Sequence, residues 1–238
     1  MIDTHCHLLP AVDDGPGSEA ESLELAGALA RDGVDFVLCT PHYSRKFATD
    51  HGHAVEEAQR LEAALALSRI ELKLGVAAEV SSTLALSADL GELSSRSIAG
   101  RFLLVELEPS APSPVLRSIC VRLAKSDLLP IFAHPERCRA VQRRPDLVDA
   151  ARADGALVQV VAPSVTRTSH HPVAVTAWRL LATGRADLLA SDAHGRIRPS
   201  LGQAAGLVLR KLGEPVRDAL VERRPRLVID GVHPAESS

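Results

Sequence analysis

Short apolar runs rich in Val, Ile and Leu alternate along the chain with longer stretches whose apolar positions recur at helical spacing. The first run, residues 1–7, reads as a strand. Ser18 and Glu21 form a Ser-x-x-Glu capping box, and Leu23, Ala26 and Ala30 carry a helix to Gly33. Residues 36–40 form a second strand that stops at Pro41-His42, and a polar loop covers 43–52. The same reading gives helices at 55–68, 84–93, 115–125, Leu147–Ala153, 173–182, Leu201–Leu212 and 216–223. It gives strands at 72–80, 102–108, 129–134, 156–162, 187–192 and, last, 227–229, with 163–172 a polar loop. Residues from Pro234 on read as a disordered tail.

This is seven strand-then-helix units at even spacing. Strict alternation implies parallel strands joined by helices, and the absence of a linker predicts one domain over residues 1–238. A doubly wound sheet is the open alternative, but no Gly-rich phosphate loop follows the first strand.

Composition sharpens this picture in three ways. Hydrophobic residues make up 46% and aromatics 3%, so the core must be aliphatic, as suits parallel strands wrapped by helices. Net charge is −3 without a basic stripe, which argues against a nucleic-acid partner. Arginine outnumbers lysine 23 to 4, so a lone Arg carries little information. Four scattered cysteines form no CxxC pair and no disulfide framework, and no apolar run reaches spanning length. A cytoplasmic protein without membrane insertion is the expectation.

The chemistry gathers at the ends of the expected strands. His5 and His7, two apart, share one face of the first, and the turn after Pro10 brings Asp13, Asp14 and Gly15 beside them. His42 follows the second strand, Glu79 ends the third, Glu106 lies in the fourth, His134 ends the fifth, and Asp192 and His194 end the seventh. C-terminal ends of parallel strands meet at one mouth when the sheet closes into a barrel. One such residue is ordinarily a satisfied polar group; a coincidence over six strand ends is a metal site. The ligands outnumber those of one tetrahedral ion, so two or three ions sharing carboxylates fit better. Cys6 should point away from them. His51, His53, His170, His171 and His233 fall in polar stretches and read as solvated.

At this point His5-x-His7, Pro41-His42, Glu79, Glu106, Ala133-His134-Pro135-Glu136-Arg137 and Ser191-Asp192-Ala193-His194 resemble the polymerase and histidinol phosphatase (PHP) metal-dependent superfamily. More narrowly, Asp3-Thr-His-Cys-His-Leu-Leu-Pro and Asp13-Asp14-Gly15-Pro16 resemble the bacterial manganese-dependent protein-tyrosine phosphatases of capsule and exopolysaccharide operons. The resemblance implies a distorted (β/α)7 barrel that binds three metals, Mn2+ first, with Fe, Co2+ or Zn2+ as alternatives. It implies that His5, His7 and Asp192 hold one ion, that Glu79 bridges it to a second completed by Glu106 and His134, and that Asp14, His42 and His194 hold the third. Glu108 shares a strand face with Glu106, so the choice of Glu106 rests on the match. Two phosphate-binding arginines match Arg137 and Arg198, with Pro199 favouring 198 over Arg196. The implied reaction is attack of a metal-bound hydroxide on phosphotyrosine, and the implied substrate is the tyrosine-rich tail of a polysaccharide-export kinase. Close rivals are small-molecule phosphatases of the same superfamily, acting on histidinol phosphate or nucleotides.

A different chemistry is spelled by Cys39-Thr-Pro-His-Tyr-Ser-Arg45, a Cys-x5-Arg match to thiolate phosphatases. That signature needs a loop of N–H groups cradling phosphate. Pro41 removes one donor, the loop has no Gly, and an Arg-rich chain gives such matches by chance. A metal-stabilised binding module is the non-enzymatic alternative; it would bind metal tightly without turning over an aryl phosphate.

Overall fold

The computed structural model describes residues 1–195 and 200–237. Its strands are β1 (Ile2–Cys6), β2 (Phe36–Cys39), β3 (His42–Tyr43), β4 (Lys73–Val76), β5 (Glu79–Ser81), β6 (Phe102–Glu106), β7 (Leu129–Ala133), β8 (Leu157–Val161) and β9 (Leu188–Ala190). All pairings between them are parallel, in the orders β1-β2-β4 and β3-β5-β6-β7-β8-β9. The two sheets are one continuous ladder with a step in it. Ala77 N–H donates to the Cys39 carbonyl (2.9 Å) and Glu79 N–H to the Pro41 carbonyl (3.1 Å), so β3 continues β2 and β5 continues β4. At the other edge Asp192 N–H donates to the His5 carbonyl and His7 N–H to the Ala193 carbonyl, both 2.9 Å, and β9 meets β1. Counting each interrupted pair as one strand, seven strands follow one another around a ring among the described residues.

Alternation along the strands sorts side chains into two cores. Leu38, Phe102, Leu104, Ile131, Ala133, Leu157 and Leu188 form the inner cluster. Their neighbours Val37, Cys39, Leu103, Val105, Phe132, Val158, Val160 and Leu189 belong to the outer one, beneath the helices. The inward column changes character along each strand. On β6 it runs Phe102, Leu104, Glu106, on β8 Leu157, Gln159, and on β1 Asp3, His5. The lower half of the ring is therefore apolar and the C-terminal mouth polar. Cys6 lies in the outer cluster, away from the mouth.

Several boundaries differ from the sequence reading. Residues 227–229 are not a strand but the end of a helix, Arg224–Ile229. Pro225 in its first turn presets a helical φ, and Val228 is buried in the inner cluster, closing the base of the ring. The strand expected over 72–80 breaks at Ala77-Ala78, because Ala78 N–H turns to the Arg96 carbonyl (3.1 Å). The helix expected over 84–93 is two, Ser82–Ser87 and Leu90–Ser95, each capped by its own Ser81 or Asp89 side chain. The loop after β8 contains a short helix, Ala162–Thr166. Residues 234–237 form a 3-10 turn instead of a loose tail, and His233 stacks on Phe102 instead of facing solvent alone.

Candidate metal centre

All nine side chains expected to hold metal lie at the mouth. Their ligand atoms fall into four groups of close neighbours: His7, Asp14, His42 and His194; His5, His134 and Asp192; His5, His7 and Glu79; His42, Glu79 and Glu106. Parallel pairing explains the convergence, since His42 lies opposite Glu79 in register and Glu79 opposite Leu104, two residues before Glu106. His134 and Asp192 reach the mouth by another device. His134 directly follows β7 and Asp192 lies two residues past the end of β9, each in a left-handed conformation, with φ of 33° and 53°. Such a φ is costly for a non-glycine residue.

Glu79 is the hub. Its Oε1 lies 2.8 Å from His134 Nε2. Its Oε2 is fully buried and accepts no well-formed hydrogen bond. Yet His42 Nδ1 is 3.0 Å away, and His5 Nε2 and His7 Nε2 are each at 3.3 Å. Two ligands about 2.1 Å from one ion stand about 3.0–3.4 Å apart. An orphaned carboxylate oxygen ringed by imidazole nitrogens at those separations fits shared cations. His5 Nδ1 donates to Gln159 Oε1 and His7 Nδ1 to Asp13 Oδ2, so in their neutral forms the two rings turn bare Nε2 atoms toward each other at 3.3 Å, an arrangement that a shared cation satisfies.

The electrostatics agree. Burial opposes the charged form of Glu79, but His5, then His134 and His42, hold its carboxyl well below the usual range. Burial likewise opposes a charged His7, but Asp13 and Glu79 push it up to about 10. Burial and then the Glu79 charge raise Glu106, so the two carboxyls are driven apart. Carboxylates that keep imidazoles protonated are the arrangement a divalent ion replaces on binding, with release of those protons.

Three supporting side chains were not singled out as site residues by sequence reasoning. Asp13 Oδ2 is 2.6 Å from His7 Nδ1 and accepts from His42 N–H (2.9 Å), fixing two candidate ligands at once. Gln159 Oε1 is 2.8 Å from His5 Nδ1. Asp3 Oδ1 accepts from Ser191 N–H (2.9 Å) and joins β9 to β1. The signal for Gln159 was present: it is the one polar residue in the run Leu157–Val161. Gly15 is required by close approach, because a side chain there would strike the His7 carbonyl oxygen.

Arg137 donates to Asp192 Oδ2 at 2.6 Å and is one-third exposed, at the edge of the cluster. Glu108 lies outside all four groups and accepts from the exposed Thr83 hydroxyl (2.8 Å), which separates it from Glu106. Arg196 and Arg198 fall outside the described residues. Cys39 is fully buried, and burial pushes its thiol well up, so it offers no nucleophile.

YwqE of Bacillus subtilis strain 168, a tyrosine-protein phosphatase, is 30% identical over 214 residues, covering 89% of this chain and 84% of that protein. CapC of Staphylococcus aureus, a putative tyrosine-protein phosphatase, is 28% identical over 199 residues, covering 82% and 77%. A crystal structure from work on YwqE and on CpsB of Streptococcus pneumoniae, described as metal-dependent tyrosine phosphatases, superimposes with a TM-score of 0.86 at 27% identity, over 98% of this chain and 95% of that one. The histidinol phosphate phosphatase of Lactococcus lactis shares the fold, with a TM-score of 0.53 at 13% identity over 88% and 92%. The family model for capsular polysaccharide synthesis proteins CpsB/CapC matches residues 1–230, and the chain belongs to that family.

Proposed function

We propose that this protein is a metal-dependent protein-tyrosine phosphatase. The observation that carries the reading is the Glu79 oxygen ringed by His5, His7 and His42 in a chain of this family. In this reading His5, His7 and Asp192 would hold one ion, Glu79, Glu106 and His134 a second, and Asp14, His42 and His194 a third. His7 is common to two of the geometric groups. Divalent ions held there would supply Lewis acidity toward water and toward phosphate oxygens. The nitrogen- and oxygen-rich donor set, free of thiolate, suits Mn2+, with Fe, Co2+ and Zn2+ as competitors.

The chain's own residues do the rest. Asp13 and Gln159 fix the Nδ1 sides of His7 and His5, so that their Nε2 atoms face the cluster. Arg137, and Arg198 four positions after His194 in the sequence, would bind phosphate oxygens, where a planar fork of donors surpasses an ammonium. Tyrosine leaves with a pKa of about 10, so a strong general acid is unnecessary. The substrate proposed is a phosphotyrosine protein of the cytoplasm, the tail of a polysaccharide-export tyrosine kinase, in keeping with a capsule-synthesis family.

The test is steady-state hydrolysis of a phosphotyrosine peptide, the matching phosphoserine peptide and histidinol phosphate, each with and without added Mn2+. The reading expects Mn2+-dependent turnover strongest on phosphotyrosine. Preference for histidinol phosphate would instead make the protein a small-molecule phosphatase.

A further inference from the structure

The chain has six Phe, Tyr and Trp residues. Five pack into its cores: Phe132 in the outer cluster, Phe102 in the inner one, with Tyr43, Trp178 and Phe36 against them. Phe47 belongs to neither. It sits half-buried at the mouth, its ring stacked on His42 with centroids 5.5 Å apart and planes 10° apart. Among the described residues no other Phe, Tyr or Trp ring stacks on a candidate ligand imidazole.

The turn that presents Phe47 is braced. Ser44 N–H donates to the Phe47 carbonyl (2.8 Å), and Phe47 N–H donates to Ser44 Oγ (3.1 Å). Tyr43 and Ala48 pair across it. The Tyr43 hydroxyl donates to Glu92 (2.6 Å), while the Arg96 guanidinium lies 4.0 Å from the Tyr43 ring centroid and donates to the Thr49 carbonyl (3.2 Å). So the turn is tied to the helix Leu90–Ser95 and the residue after it, and Phe47 is held over the mouth without being part of a core.

We propose that Phe47 is a specificity-determining residue that receives the aryl ring of the substrate, so that the site selects aryl over alkyl phosphomonoesters. The proposal rests on the phosphatase reading above. The inner side of the cluster is closed by buried His5, His7, Glu79 and His134, so a phosphate seated there would turn its ester group to the open side, where His42 and Phe47 are half-buried. There an alkyl chain gains little, whereas a phenyl ring meets another ring in offset or edge-to-face contact. Lys46 Nζ lies over the Phe47 ring at 4.4 Å from its centroid. An exposed ammonium on a ring is a weak contact that an incoming ring displaces.

Calorimetry on the metal-loaded protein with phenylphosphonate and methylphosphonate tests this without any leaving-group chemistry. Phe47→Ala and Phe47→Leu are expected to weaken phenylphosphonate about threefold to tenfold, with methylphosphonate within about twofold and metal content unchanged. Phe47→Tyr should bind both as the wild type does. Equal weakening of the two phosphonates would mean that Phe47 merely supports His42, and an unchanged phenylphosphonate affinity would mean that it touches no substrate; either overturns the proposal. Phe47→Leu keeps most of the volume without the ring face and decides the matter if the alanine variant does not fold. A wild-type protein that binds neither phosphonate and leaves a phosphotyrosine peptide intact defeats the phosphatase reading itself.

Discussion

At the base of the strand ring Asp187 accepts two hydrogen bonds from Arg152, at 3.1 and 2.8 Å, and a third from Val158 N–H at 3.0 Å. At the mouth Glu79 is buried as deeply, yet one of its oxygens accepts none. The base also ties down the C-terminal segment, where Arg101 pairs with both oxygens of Glu236 and with the Gly231 carbonyl. Polar groups that complete one another stabilise a fold, and groups held incomplete by the fold await a ligand. The same ring thus separates its stabilising charges from its working ones by the direction of its strands.

The sharpest way to break this contrast is at its hub. Glu79→Gln is expected to lose at least one equivalent of metal and roughly a thousandfold or more in kcat/KM, measured by elemental analysis and peptide hydrolysis on the same samples. Little change in either would remove the distinction between the two ends. Next comes a pair three positions apart. His42→Ala should abolish turnover or nearly so, whereas Cys39→Ser should keep most of it, because Cys39 faces the outer core. The reverse result would restore a thiol mechanism.

Arg137→Ala should retain fold and metal but lose about ten- to a thousandfold in activity, the range for removing one charge-stabilising donor or somewhat below it. Arg137→Lys should recover part of that loss. Arg198→Ala is expected to behave in the same way, with Arg196→Ala near neutral; an exchange of those two outcomes would reassign the second phosphate-binding residue. The smallest effect on activity belongs to the base. Asp187→Ala should cost about 1–3 kcal/mol of stability in urea denaturation, because it strands Val158 N–H and the part-buried Arg152. Activity per folded molecule should stay unchanged. A loss of turnover with full stability would show that the base takes part in the chemistry.

Much of the mouth was legible in the sequence because it depends on position along strands. His5, His7 and Glu106 lie at spacings of two that share a strand face, with Glu106 closing an apolar run and His5 and His7 set between Ile2 and Leu8. The helix Glu19–Arg31 was likewise announced by Ser18, whose side chain accepts from Glu21 N–H. What escaped depends on contacts between distant segments. Gln159 meets His5 across 154 positions, and Asp3 meets Ser191 across 188. The turn 44–49 reads as an ordinary polar loop; its bracing by Glu92 and Arg96, 49 and 47 positions along the chain, is a tertiary contact that holds Phe47 against His42. The helix at Arg224–Ile229 escaped for a related reason. Leu227-Val228-Ile229 has strand propensity, but the packing of Val228 under the ring overrides it.

The central claim is that the mouth is a metal-dependent phosphotyrosine site, and metal titration of chelator-treated protein tests it most directly. Phosphotyrosine-peptide hydrolysis would be followed as Mn2+ is added back in fractions of an equivalent. The account predicts negligible initial activity and a rise that levels off only after two to three equivalents per chain, in keeping with the four overlapping ligand groups. Full activity in the stripped protein, or none after saturation with Mn2+, Co2+, Zn2+ or Fe2+ in a protein that remains folded, would contradict it.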